Sequence, residues 1–114
     1  MTPRKDQIPA DHFFSADLRV GRIVTVEAFP EARRPAYRIQ VDFGPAGTLW
    51  TSAQVTNYSP EELKDRLVVG VINLPGKRIA GRTSEFLLLG SYADGGLVHL
   101  LSPAAEATPG DAVG

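Results

Sequence analysis

The cleanest alternation in the chain lies at residues 37–43, where Tyr37, Ile39, Val41 and Phe43 alternate with Arg38, Gln40 and Asp42. A period of two predicts a strand with one buried face. Upstream, the even positions Leu18, Val20, Arg22, Val24, Val26 and Ala28 are mostly apolar and predict a first strand, with Gly21 marking a bend or bulge inside it. Between the two, Pro30 and Pro35 block strand pairing, so residues 29–35 read as a loop. The Gly-Pro-Ala-Gly run at 44–47 is a turn. Leu49, Trp50 and Thr51 then resume a third strand that ends around Ser52, Ala53 and Gln54. Ser59-Pro60-Glu61-Glu62 sets an N-cap, a proline at the first helical position and acids in the first turn, which predicts a short helix ending near Asp65. Residues 67–74 form an apolar run of buried-strand length, and residues 85–89 another. Asp94-Gly95-Gly96 turns the chain into a last strand at 97–101. Pro75 and Gly81 bound a basic loop. Residues 12–16 read as one turn that tucks Phe13 and Phe14 under the body of the protein. The tail from Ser102 reads as extended along the surface.

Three strands, a short helix and two or three further strands is the order of an all-β, five-stranded oligonucleotide-binding (OB) fold. Its Greek-key barrel carries a helix between strands 3 and 4. A βαβ sheet would need several long helices. The expected organisation is a flexible N-terminal arm at 1–11, one domain at 12–114 and short terminal extensions. A length of 114 residues fits one domain, and 43% hydrophobic with 22% charged residues is ordinary for a soluble globular protein. There is no run of about 18 apolar residues, so no membrane insertion is expected, and the start lacks the apolar stretch of a secretion signal. The absence of cysteine excludes disulfides and thiolate metal sites and fits a reducing cytoplasm without demanding it. His12 and His99 share no metal motif, and no cofactor is expected.

A net charge of −1 argues weakly against a polyanionic partner, but the distribution changes the picture. All lysines and arginines lie at or before Arg82. Arg33, Arg34 and Arg38 stand between Glu31 and Asp42 with no acid among them. Arg66, Lys77, Arg78 and Arg82 stand likewise between Asp65 and Glu85. Two local basic clusters either bind an anion or form an ordinary solvated surface.

Motifs sharpen the choice. Asp17-Leu-Arg-Val-Gly21, Glu27, Phe29-Pro-Glu-Ala32, Tyr37 and Val41-Asp-Phe-Gly44 resemble the tRNA-binding domain appended to bacterial methionyl-tRNA synthetase and its free-standing relatives. The match continues through Ser52-Ala-Gln54, the stretch from Asn73 to Gly81, and the stretch from Ser84 to Gly90. Ser52-Ala53-Gln54 stands where synthetase-linked members have Ser-Gly-Leu. Lys77-Arg78-Ile79-Ala80-Gly81 stands where they have a Lys-Met-Arg-Gly type loop. Both departures resemble the CsaA proteins, described as secretion-related chaperones. The resemblance spans residues 12–112. It implies an OB fold, a homodimer, affinity for tRNA and a role in helping unfolded preproteins to export.

Lys77 and Arg78 fall in the basic loop that coincides with the family's RNA-binding motif, with Arg82 in the same patch. Exposed cations suit phosphates, and arginine can also stack on bases. Arg33 and Arg34 lie in the loop between the first two strands, one of those flanking the ligand face of this fold. Ser52, Gln54, Asn73 and Ser84 are short polar groups at strand ends that either read RNA or satisfy local backbone groups. Glu85 fits poorly with an anionic partner; it either orients Lys77 or Arg78 or accepts from a base amino group. Tyr37, Phe43, Ile72 and Phe86 read as barrel core, Asp17 as a cap or turn acid, and Trp50 as core, dimer contact or exposed patch. A polypeptide-binding chaperone competes with the RNA binder. No phosphate-cradling glycine loop, nucleophile elbow or histidine metal motif supports an enzyme.

Overall fold

The computed structural model describes residues 2–114. The chain runs α1 (Ala10–Phe14), β1 (Leu18–Ala28), β2 (Tyr37–Asp42), β3 (Thr48–Ala53), α2 (Pro60–Leu63), β4 (Leu67–Val71), β5 (Lys77–Ile79) and β6 (Arg82–Ser84). It continues through β7 (Leu87–Leu88), β8 (Gly90–Tyr92), β9 (Val98–Leu100) and β10 (Ala112–Val113). Five of these strands pair antiparallel in the order β3-β2-β1-β4-β7. The two ends of the sheet meet. The Thr51 hydroxyl donates to the Phe86 carbonyl at 2.8 Å, and the Glu85 N–H donates to the Trp50 carbonyl at 2.8 Å. The result is a nearly closed five-stranded barrel of the OB type, with α2 between its third and fourth strands.

The alternation in β2 sets the core. Ile39, Val41 and Phe43 are fully buried and pack with Ile23, Leu63, Val68 and Phe86. The rings of Phe43 and Phe86 meet edge to face, centroids 5.0 Å apart. Leu63 is presented by α2, whose capping box is complete: Ser59 Oγ accepts from the Glu62 N–H, and the Glu62 carboxylate accepts from the Ser59 N–H. Tyr37 and Ile72 are half-buried and pack against this core.

Gly21 serves a different purpose from the bend expected of it. A Cβ there would stand 2.4 Å from Val41 Cγ1 and 2.8 Å from the Phe43 ring, so the glycine makes room for the core beneath it. The register slip falls instead between Ile23 and Thr25. This is why Ile23 and Val26 both pack into the core although they stand at positions of opposite parity.

Three further expectations are corrected. Phe13 and Phe14 are not tucked beneath the barrel; they are 46% and 69% exposed and pack edge to face with each other. Helix α1 is too short to present a buried face, and its segment is pinned through backbone groups. The Asn73 side chain accepts from the Asp17 N–H and donates to the Ser15 carbonyl, both at 2.8 Å. The basic loop is a β5–β6 hairpin, because Ala80 (φ 48°) and Gly81 (φ 81°) both enter the left-handed region that a two-residue turn between strands requires. The strand expected at 85–89 shrinks to Leu87–Leu88, since the backbone of Glu85 and Phe86 is spent closing the barrel against β3. In the tail, Ala112 and Val113 add a short strand beside Arg19 and Leu18 of β1.

Candidate nucleic-acid interface

The β1–β2 loop and the long β4–β7 connection, which carries the β5–β6 hairpin, correspond to the two loops that flank the ligand face of this fold. They face each other across the end of β3. A cleft of about 260 Å³ lies between them, lined by Phe29, Ala32, Arg33, Arg34 and Ala36 from the first loop, Ser52 and Gln54 from the end of β3, and Ile79 from the hairpin. Four of the expected site residues, Arg33, Arg34, Ser52 and Gln54, are therefore neighbours in space. Among the described residues, Arg33 and Arg34 make no hydrogen bond or ion pair and are exposed, as cations awaiting an anion would be.

The hairpin divides the other cations. Alternation along β5 sends Lys77 and Ile79 to one face and Arg78 to the other. Both cations are exposed, but the Arg78 guanidinium folds back to donate to the Gly81 carbonyl at 2.9 Å. Arg82, opposite Ile79 in the register, stands 3.8 Å from the Glu27 carboxylate at the end of β1. Ser84 Oγ accepts from the Ser52 N–H at 3.0 Å, which docks the hairpin on β3. Asn73 lies at the opposite end of β4 from its pairing with Arg22, and its amide is engaged with Ser15 and Asp17 as described. Among the described residues Glu85 forms no ion pair with Lys77 or Arg78, and its carboxylate accepts from the Trp50 N–H at 2.9 Å.

Sequence reasoning left unassigned the apolar lining residues Phe29, Ala32, Ala36 and Ile79, and one cation behind the cleft, Arg38. It lies on the polar face of β2, yet is 6% exposed. Nη1 donates to Ser52 Oγ and to the Thr83 carbonyl, both at 3.0 Å. The guanidinium carbon sits 5.4 Å from the centre of the Trp50 ring. Nε has no partner. Burial holds its pKa below the ordinary arginine value, and the like charge of Arg82 adds to this; Glu85 and Glu27 oppose it. Arginine stays protonated at neutral pH nonetheless, so a fixed cation underlies the junction of β2, β3 and hairpin. The alternation that placed Arg38 outside the core was correct, and the signal missed was Trp50 directly beside Gln40 in the β2–β3 register.

Residues 18–112 match the family described as "Putative tRNA binding domain". The chain belongs to this family. Its fold is that of a CsaA chaperone from Picrophilus torridus (40% identity, TM-score 0.90, covering 95% of this chain and 100% of that one). The chaperone CsaA from Bacillus anthracis is equally similar (41% identity, TM-score 0.91, 96% and 100% covered). A methionine–tRNA ligase from Porphyromonas gingivalis is 32% identical over 111 residues, 97% of this chain. The chain spans only 16% of that ligase, so the resemblance concerns one domain of it. Membership of the tRNA-binding domain family is consistent with the loop-borne cations around the cleft. Among the described residues no helix is long and apolar enough to cross a membrane.

Proposed function

We propose that this tRNA-binding domain acts without catalysis, holding tRNA on the face between the β1–β2 loop and the β5–β6 hairpin. The observation that carries the reading is the placement of Arg33 and Arg34, unpaired and exposed, on one side of a cleft whose other side is the basic hairpin. Loop-borne cations on a concave surface raise the local concentration of a polyanion whatever the net charge. The residues assigned to RNA are Arg33, Arg34, Ser52, Gln54, Lys77, Arg78 and Arg82. Ser84 and Asn73 act indirectly, by placing the hairpin and the α1 segment. The likeness to proteins named as chaperones supports a chaperone role, and the proposal extends it to a cytoplasmic homodimer that helps preproteins to export.

The test is titration of labelled tRNA with the wild type and with Arg33→Glu/Arg34→Glu. Binding that weakens at least tenfold in the variant is the expected result. Equal binding, with both proteins folded, refutes the placement.

A second reading, that an apolar surface captures unfolded polypeptide and RNA binding is incidental, is favoured by the exposure of Phe13, Phe14, Leu87 and Tyr92. Titrating an unfolded polypeptide at high salt separates the readings, since apolar binding survives where phosphate binding fails. Sedimentation at low micromolar concentration tests the dimer, and a monomer overturns it.

A further inference from the structure

A cleft built only to meet phosphates needs cations and nothing apolar. This one has an apolar lining from Ala32, Ala36 and Ile79, with buried Phe29 behind. Its polar groups are few and uncommitted. Ser52 Oγ accepts from Arg38, which leaves the hydroxyl hydrogen free to donate outward. Among the described residues Gln54 makes no side-chain hydrogen bond, and its exposed amide offers donors and an acceptor together. Two guanidinium groups stand at the rim, and guanidinium planes stack on unpaired bases as well as meeting phosphates.

We infer that the cleft takes one unpaired base of the bound RNA. The base face lies against Ile79 and an arginine plane, and the base edge meets Gln54 and Ser52. The inference rests on the RNA-binding reading above and adds to it a contact that does not depend on charge. An apolar side chain of a bound polypeptide would also fill the floor. It would gain nothing from two adjacent cations at the rim, so charge complementarity favours the nucleotide.

The experiment compares a six-nucleotide oligoadenylate with the same ribose-phosphate backbone carrying abasic spacers at every position. Both are titrated into the wild type, Gln54→Ala and Ile79→Ala at several salt concentrations. The wild type is expected to bind the base-bearing chain about tenfold more tightly, equivalent to about 1.4 kcal/mol, with parallel salt slopes for the two chains. In both variants that ratio falls towards one while the slope is unchanged, because neither residue carries charge. A wild-type ratio near one overturns the base subsite and leaves the RNA reading standing. So does a ratio that survives in both variants. Failure of the wild type to bind either chain or tRNA overturns both. An unfolded polypeptide that displaces the oligonucleotide and binds Ile79→Ala more weakly, with the base ratio intact, assigns the cleft to polypeptide and overturns the proposal.

Discussion

Among the described residues Glu27 is the one carboxylate paired with a cation of the proposed interface, and neutralising it should tighten RNA binding. Its oxygen lies 3.8 Å from Arg82, with both side chains about half exposed. A pair this exposed contributes little to stability, about 0–1 kcal/mol, so Glu27→Gln should leave the fold unchanged. Binding responds differently, because the variant removes a repulsion from the incoming phosphates and frees Arg82 to meet one. Each phosphate contact on single-stranded RNA adds about −0.7 to the slope of log affinity against log salt. With Arg33, Arg34, Lys77, Arg78 and Arg82 all engaged the slope approaches roughly −3.5, whereas without Arg82 it stays near about −2.8. Between 50 and 200 mM salt a slope of roughly −3.5 weakens binding about a hundredfold. Fluorescence anisotropy with labelled tRNA across that range reads the quantity directly. Glu27→Gln should bind more tightly at 50 mM salt, with a slope equal to or steeper than the wild type. Lys77→Ala should flatten the slope by about 0.7. A Glu27→Gln protein that binds more weakly, or a wild-type slope near zero, would refute the reasoning.

Gly70→Ala should destabilise the barrel, because a Cβ there would stand 2.9 Å from both the Phe43 and Phe86 rings. Overpacking of this kind costs about 1–3 kcal/mol, visible as a lower urea midpoint with an unchanged m-value. Arg38→Met keeps an apolar stem but removes two hydrogen bonds and the contact with Trp50, while relieving the unpartnered Nε. The charge-assisted bonds outweigh that relief, giving a net loss of about 2 kcal/mol. RNA affinity should fall with the salt slope unchanged, since the group meets no phosphate. Hydrogen bonds from the backbone and side chain of Ser59 hold the Glu62 carboxyl below its ordinary value of 4.5. A depressed carboxylate stabilises the fold above that value and loses the contribution as pH falls through the lower, folded-state value. The thermal midpoint of the wild type should therefore exceed that of Glu62→Gln at neutral pH and converge with it in acid.

Much of the barrel was legible because its strands carry a period of two and its helix carries a full N-cap signal. Residues 37–43 and the Ser59–Glu62 box behave as local pattern predicts. What escaped depends on partners distant in sequence. The role of Gly21 follows from Phe43 arriving from the next strand, and nothing local reports it. The hairpin at 77–84 hid behind its composition, since Ala80 in the left-handed region is an unusual turn residue. The exposure of Phe13 and Phe14 was missed because apolar residues were assumed to find the core, whereas α1 never reaches it. At the interface, residue type identified exposed loop cations correctly as candidates. It could not distinguish Ser52, which lines the cleft, from Asn73, whose amide is consumed near α1. It also left out Arg38, because burial of a cation on a strand's polar face depends on Trp50 and the hairpin folding over it.

The near-neutral total charge is no obstacle to a polyanion, and the geometry of β1 says why. Asp17 and Asp111 gather where β1 begins, the one beside Arg19 and the other hydrogen-bonded to Val20. Arg33 and Arg34 lie in the loop beyond the other end of β1, a strand of 11 residues. A strand of that length separates its ends by roughly 30 Å. Charges in solvent are screened over about 8 Å at physiological salt, so the acids at the start of β1 scarcely reach the cleft. The field there is set by Arg33, Arg34 and the hairpin cations against Glu27, Glu31 and Glu85. Glu85 is tied to the Trp50 N–H on the Arg38 side. Glu31 shares the loop with the two arginines, which leaves Glu27 as the acid that holds a hairpin cation in check. Local balance is what an approaching phosphate meets, and in this cleft it is positive.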